Sequence, residues 1–173
     1  MHDREFSRIS GHYHNMTKFF HRYLSTTLKF GKVNALAANF AFLKGQSEYA
    51  LFADACIEAE RVLATSPAMA AVGCRKALEL AVKWVYSADN TIRTPYKDNL
   101  QSLIHEPSFR FAVDDQTWKK LPYIIKLGNL AVHTDKAINR SEAVLSLAAL
   151  FEFVQWLDYC YGSNYEERTF DES

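Results

Sequence analysis

Residues 140–161 set the terms for the rest of the chain. Val144, Leu145, Leu147, Leu150, Phe151, Phe153, Val154, Trp156 and Leu157 fall on almost every side of a helix. Asn139 with Glu142 three residues on resembles a capping box, and Gly162 supplies a stop. A helix that is apolar almost all round has to be central to a bundle or covered by a partner. The fold must therefore supply several other helices to surround it, or a second molecule must.

Those other helices are legible. Ser47 can cap a helix running to about Ala64, with Tyr49, Phe52, Ala53, Cys56, Glu60 and Leu63 at 3–4 spacing. Ser66-Pro67 is a cap followed by proline at the first helical position, and starts a helix through about Tyr86. Asp89-Asn90 and Thr94-Pro95 punctuate a loop. A short helix near residues 98–105 stops before Pro107. Asp114 can cap the next stretch, which Pro122 kinks or restarts and which continues to His133. No alternating β pattern of useful length, hairpin dipeptide or internal repeat is present. The expected fold is all-α, a bundle of four to five main helices with no significant sheet.

The chain has 173 residues, 49% hydrophobic and 23% charged, which suits one ordinary globular core. No run of 18 or more apolar residues occurs, so no membrane span is expected. Cys56, Cys74 and Cys160 are an odd number without close spacing, as expected of reduced thiols rather than a disulfide framework or a zinc site. Net charge is zero but uneven. Residues 1–47 hold seven Lys/Arg against two acids, a net of +5, which leaves −5 on residues 48–173. The expected organisation is a basic, flexible and dispensable leader over residues 1–33, a bundle domain over 34–162 and an acidic exit linker over 163–173. A basic arm can bind nucleic acid or an acidic partner, although a solvated leader is the plainer reading. Val33 is a candidate alternative start, which would make the leader a non-native extension. The leader carries His2, His12, His14 and His21, too few closely spaced ligands for a metal site, and no signal-peptide core.

The chemistry-bearing candidates lie in residues 126–133. Seven helical positions return within about 20° of the start, so Lys126, Asn129 and His133 share one face. A cation, an amide and an imidazole so aligned can hold a phosphate or a ribose. They can equally form a buried polar seam that fixes helix register, and the seam is the preferred reading. Gly128 costs about 1 kcal/mol relative to alanine inside a helix, which points to a backbone or ligand passing close. In the 67–86 helix, Arg75, Glu79 and Lys83 stand four apart beside Met69, Val72, Leu80 and Trp84. They read as a solvated ladder, or else Arg75 or Glu79 meets the Lys126/Asn129/His133 face inside the bundle. No P-loop, Gly-x-Ser-x-Gly elbow, His-Glu-x-x-His or Cys-x-x-Cys occurs. No cofactor or metal is expected.

Three blocks carry a family resemblance: residues 39–44 (Asn-Phe-Ala-Phe-Leu-Lys), 74–79 (Cys-Arg-Lys-Ala-Leu-Glu) and 127–133 (Leu-Gly-Asn-Leu-Ala-Val-His). In this order they resemble the helical domain of unknown function at the N-terminus of type I restriction–modification R subunits. The likeness covers about residues 34–173. It implies a bacterial, cytoplasmic accessory module that makes protein or DNA contacts in DNA restriction, with other subunits or domains of the complex as partners. In that family the domain precedes a metal-dependent nuclease and a helicase-type translocase, and neither is present here, so the chain resembles a truncated or stand-alone copy. A monomer–dimer mixture is expected in isolation. The domain is also similar to the HEPN superfamily, many of whose members are metal-independent ribonucleases using an Arg and, four to six residues on, a His. His133 matches that His, and Lys126 stands at the Arg position. Lysine lacks arginine's planar two-point grip on phosphate. The alternative activity is thus a HEPN-like ribonuclease with His133 as acid/base and Lys126 holding phosphate.

Overall fold

The computed structural model describes residues 39–134 and 136–172, and the expected basic leader lies outside the described residues. Among these residues the protein is entirely helical, as the spacing of apolar and capping residues predicts. The α-helices are α1 (Ala50–Arg61), α2 (Pro67–Ala88), α3 (Leu100–His105), α4 (Pro107–Ala112), α5 (Asp115–His133) and α6 (Arg140–Tyr161). Four of them are long, and α3 and α4 form a short elbow between α2 and α5.

The caps work through the side chains expected of them. Ser66 Oγ accepts from Met69 N with Pro67 in the first turn of α2. Asp114 Oδ1 accepts from Gln116 N and Thr117 N at the head of α5. Asn139 and Glu142 form a reciprocal capping box on α6. Three local readings need correction. The helix expected from Ser47 to Ala64 is α-helical only over Ala50–Arg61, with 3-10 turns at Ser47–Tyr49 and Val62–Ala64. The elbow contains α4, which the sequence reading omitted; Pro107 opens it and the Glu106 carboxylate accepts from Ser108 N and Phe109 N. Pro122 does not restart the helix: α5 runs as one element from Asp115 to His133. An interior proline costs about 3 kcal/mol, and burial of Leu121, Ile124, Ile125 and Leu127 around it offsets that cost.

Residue pairs give the helix directions. Phe52 meets Trp84 at 6.0 Å between ring centroids, so the start of α1 lies at the end of α2 and the two run antiparallel. Ala70, Ala71, Leu127, Ile138 and Ala143 share one small cluster, which sets the start of α2 beside the end of α5 and the start of α6. Lys120 pairs with Glu152 at 2.5 Å, and the Tyr123 hydroxyl donates to Glu142 O at 3.2 Å, as antiparallel α5 and α6 require. Trp118 Nε1 donates to Ile104 O at 2.7 Å and ties the elbow to α5.

Helix α6 is the central element. Residues on all its sides are buried, from Ala143 and Leu147 to Trp156 and Leu157. It is long and apolar enough to cross a bilayer, with a mean hydropathy of 1.3, yet two-thirds of that stretch is buried by the protein itself. It is a core helix of the bundle.

After Gly162 the chain turns back onto the bundle. Phe170 packs on Phe151 at 5.7 Å, and the Arg168 guanidinium lies over the Phe42 ring at 4.2 Å. Asn39 Nδ2 donates to Asp171 O at 3.0 Å while Asp171 N donates to Asn39 Oδ1 at 2.7 Å. The stretch read as an exit linker is thus tied to the bundle through Arg168, Phe170 and Asp171.

A candidate interaction face on α2 and α5

Lys126, Asn129 and His133 do share one face of α5, and all three are exposed. This overturns the buried seam. The inward stripe of α5 is Thr117, Leu121, Ile124, Ile125 and Gly128, which leaves the three polar residues on the outer side. The run misled because the outer side also carries apolar residues: Val132 is 57% exposed. Among the described residues none of Lys126, Asn129 or His133 spans the bundle by a hydrogen bond. The polar groups of α5 that reach other helices are Trp118, Lys120 and Tyr123.

Gly128 is the member of the set that faces inward, and Arg75 is its neighbour. A Cβ on Gly128 would lie 2.5 Å from Arg75 Cβ, 3.0 Å from Arg75 Cδ and 3.1 Å from Ala71 O. The arginine stem lies across the bare backbone of α5, and this close approach is what the costly glycine serves. Arg75 does therefore meet α5, at Gly128 rather than on the Lys126/Asn129/His133 side. Its Nε is fully buried and has no hydrogen-bond partner among the described residues. The ladder expected along α2 is incomplete. Glu79 accepts from Lys83 at 2.8 Å, an exposed pair worth little, and Arg75 stands outside it.

Helical geometry completes the surroundings. Val72, Arg75 and Glu79 lie along the edge of α2 that borders α5 and are half-buried. Asn129 and Val132 lie on the facing outer edge of α5. Lys136 and Arg140, just beyond the end of α5, are exposed as well. This end of the molecule collects Lys126, His133, Lys136 and Arg140. No ion pair holds any of their side chains among the described residues. Two nearby carboxylates are engaged: Glu79 with Lys83, and Glu142 Oε2 with Asn139 N at 3.0 Å.

A second polar constellation was not anticipated. Asp158, 1% exposed, sits on the apolar helix α6. The Tyr49 hydroxyl donates to its Oδ1 at 2.8 Å, and Arg168 Nη1 reaches its Oδ2 at 3.2 Å. Gln155 Nε2 donates to Arg168 O at 3.0 Å. Burial, reinforced by the bond to Asp158, holds the Tyr49 phenol well above its usual range, so it stays protonated. The arrangement is a clasp joining the chain before α1, the end of α6 and the tail. Asp158, a carboxylate set among Trp156, Leu157, Tyr159 and Cys160, was the signal for it.

Burial pushes the thiols of Cys74 and Cys160 up to about 12 and that of Cys56 higher still, which suits inert thiols, Cys56 and Cys74 in the core and Cys160 half-buried beside it, rather than nucleophiles. Among the described residues no group of three or more His, Cys, Asp or Glu could hold a metal ion. No known family, curated protein or solved structure matches this chain.

Proposed function

We propose that this chain is an accessory helical module of a type I restriction–modification R subunit, with a HEPN-like bundle, making protein or DNA contacts in DNA restriction. The observation that carries the reading is the contact of Arg75 with Gly128. It joins two of the three sequence blocks on which the resemblance rests, 74–79 and 127–133, through a pairing that demands a glycine. The third block, 39–44, is anchored too: Asn39 N and Nδ2 both donate to Glu60 Oε1 at 2.7 Å. Motifs far apart in the chain thus serve one fold. On this reading the protein works in the bacterial cytoplasm beside the other restriction subunits, and is a monomer–dimer mixture when those are absent.

The test is co-expression with the methylation and specificity subunits of a type I system encoded beside it, followed by size-exclusion chromatography. Co-elution at fixed stoichiometry supports the reading. Failure to associate with either subunit and with the remainder of the R subunit overturns it.

One observation favours a second reading, a metal-independent ribonuclease. Lys126 and His133 lie on one solvent-facing stripe, as a phosphate-holding cation and a general acid/base must to reach substrate. Cleavage of single-stranded RNA in EDTA, lost in His133→Ala without a change in melting temperature, would establish it. General acid–base catalysis contributes about 10²–10⁴-fold, so that loss is easy to read.

A further inference from the structure

We propose that the outer groove between α2 and α5 docks an acidic, aliphatic peptide segment of a partner protein, with the Arg75 guanidinium as its anchor. The proposal rests on the interaction-module reading and names the chemistry of the partner. Its first support is the state of Arg75. The stem is pinned over Gly128, with Arg75 Cδ 3.0 Å from where a Cβ would be. Nε is shut off from solvent and donates to nothing among the described residues. A charged group held in this way is left short of an acceptor, and a buried donor without one is costly. Glu79, one turn along α2, is the natural partner, yet it bonds Lys83 instead. Nε itself is closed to an incoming group, but the residue is only half-buried and no ion pair engages its guanidinium among the described residues, so a carboxylate arriving from outside meets the two terminal nitrogens, in the two-point geometry a guanidinium favours.

The second support is the composition of the groove. Val72 and Val132 flank Arg75 with aliphatic surface, and Val132 is 57% exposed. Asn129 is exposed beside them and offers both a donor and an acceptor, which is what a peptide group needs. Lys126, Lys136 and Arg140, none of them in an ion pair among the described residues, surround this end with positive charge. Nucleic acid shares the taste for cations, but a single-strand site also presents rings on which bases stack. No aromatic residue stands among Val72, Arg75, Glu79, Asn129 and Val132. Aliphatic side chains beside a charge anchor fit a peptide with Asp or Glu next to Leu, Ile or Val.

The experiment is a selection of random 12-residue peptides displayed on phage against the full chain, followed by fluorescence anisotropy with the enriched peptides. The expected winners carry at least two Asp or Glu together with aliphatic residues. Arg75→Met keeps the stem over Gly128 and removes the charge. It should weaken binding at least tenfold and leave the melting temperature unchanged or raised. Lys126→Gln, on the exposed face, should weaken binding about threefold. No enrichment, enriched peptides without acidic residues, or binding that survives both substitutions overturns the proposal. So does displacement of the peptides by a 20-nucleotide single-stranded DNA or RNA of tighter affinity. If restriction subunits co-elute with the Arg75→Met variant and the selection fails, the groove is refuted and the module reading stands. If acidic peptides are selected and no subunit co-elutes, the reverse holds.

Discussion

Arg75 lies across Gly128 so closely that a Cβ on the glycine would stand 2.5 Å from the arginine's own Cβ. The helices α2 and α5 are spaced by this contact. Gly128→Ala forces them apart, and overpacking of this kind costs about 1–3 kcal/mol, partly offset by the roughly 1 kcal/mol that alanine gains in a helix. The melting temperature should fall by a few degrees. Because the tightest approach is to Cβ, which alanine retains, Arg75→Ala should not rescue the variant. A double-mutant cycle by thermal denaturation checks this; full recovery in the double variant would mean that the guanidinium stem, not the helix spacing, is limiting.

The clasp around Asp158 should be far more sensitive than the surface ion pairs. Tyr49→Phe removes the donor to a carboxylate that is 1% exposed, and leaving such a group short of a partner costs about 1–3 kcal/mol. Arg168→Met removes its counter-charge and should cost at least as much, since Asp158 then stays buried without its cation. Arg61→Met, which breaks the exposed pair with Glu58, should leave the urea midpoint where it was. Equal effects from Arg168→Met and Arg61→Met would contradict the assignment of Asp158 as a buried anchor.

Stability should erode at alkaline pH. In the unfolded chain thiols ionise near 9.0 and phenols near 10.0, whereas burial holds Cys74, Cys160 and Tyr86 protonated until about 12. Tyr49 and Tyr161 are held higher still, first by burial and then by Asp158 and Asp89 respectively. Between those limits the unfolded state loses protons and the folded state does not, so the contribution is complete below pH 9 and is lost progressively towards pH 12. Melting curves from pH 7 to 11 should be flat at first and then fall. A melting temperature that holds constant to pH 11 would show that these groups are not buried.

Thiol reactivity offers a check without mutation. At pH 8 Cys56, Cys74 and Cys160 should resist iodoacetamide in the native protein, and all three should be labelled in guanidinium chloride. Mass spectrometry counts the adducts, and rapid native labelling of Cys56 or Cys74 would place them nearer the surface than the core.

His133→Ala and Asn129→Ala should each change stability by no more than about 0.5 kcal/mol, because both side chains face solvent. A loss of 2 kcal/mol in either would revive the buried seam.

The fold was legible in the sequence because its punctuation is local. Ser66-Pro67, Asp114 and the Asn139/Glu142 pair each act within three residues, and each caps the helix it announces. Helix α4 was missed because its cap is Glu106, a weak candidate by type, and because six residues carry little periodicity. The candidate face was half legible. Spacing alone puts Lys126, Asn129 and His133 on one stripe, but whether a stripe faces in or out depends on the residues across from it, which lie some fifty positions away on α2. Gly128 marked a close approach correctly; its neighbour, Arg75, was among the candidates, but the spacing of 126, 129 and 133 drew the contact to the wrong side of α5. The clasp of Tyr49, Asp158 and Arg168 spans 119 positions, 168 minus 49, and only the oddity of a carboxylate in an apolar helix hinted at it.

The paired hydrogen bonds between Asn39 and Asp171 bring two distant points of the chain side by side, 132 positions apart in sequence. The bundle is therefore close to a closed loop. Joining these points by a short linker and opening the chain in the loop between α2 and α3 should give a circular permutant with the same core. In the natural order, a force drawing residues 39 and 171 apart would load two hydrogen bonds and the Arg168 contacts before any helix, so the clasp would yield first and α6 last.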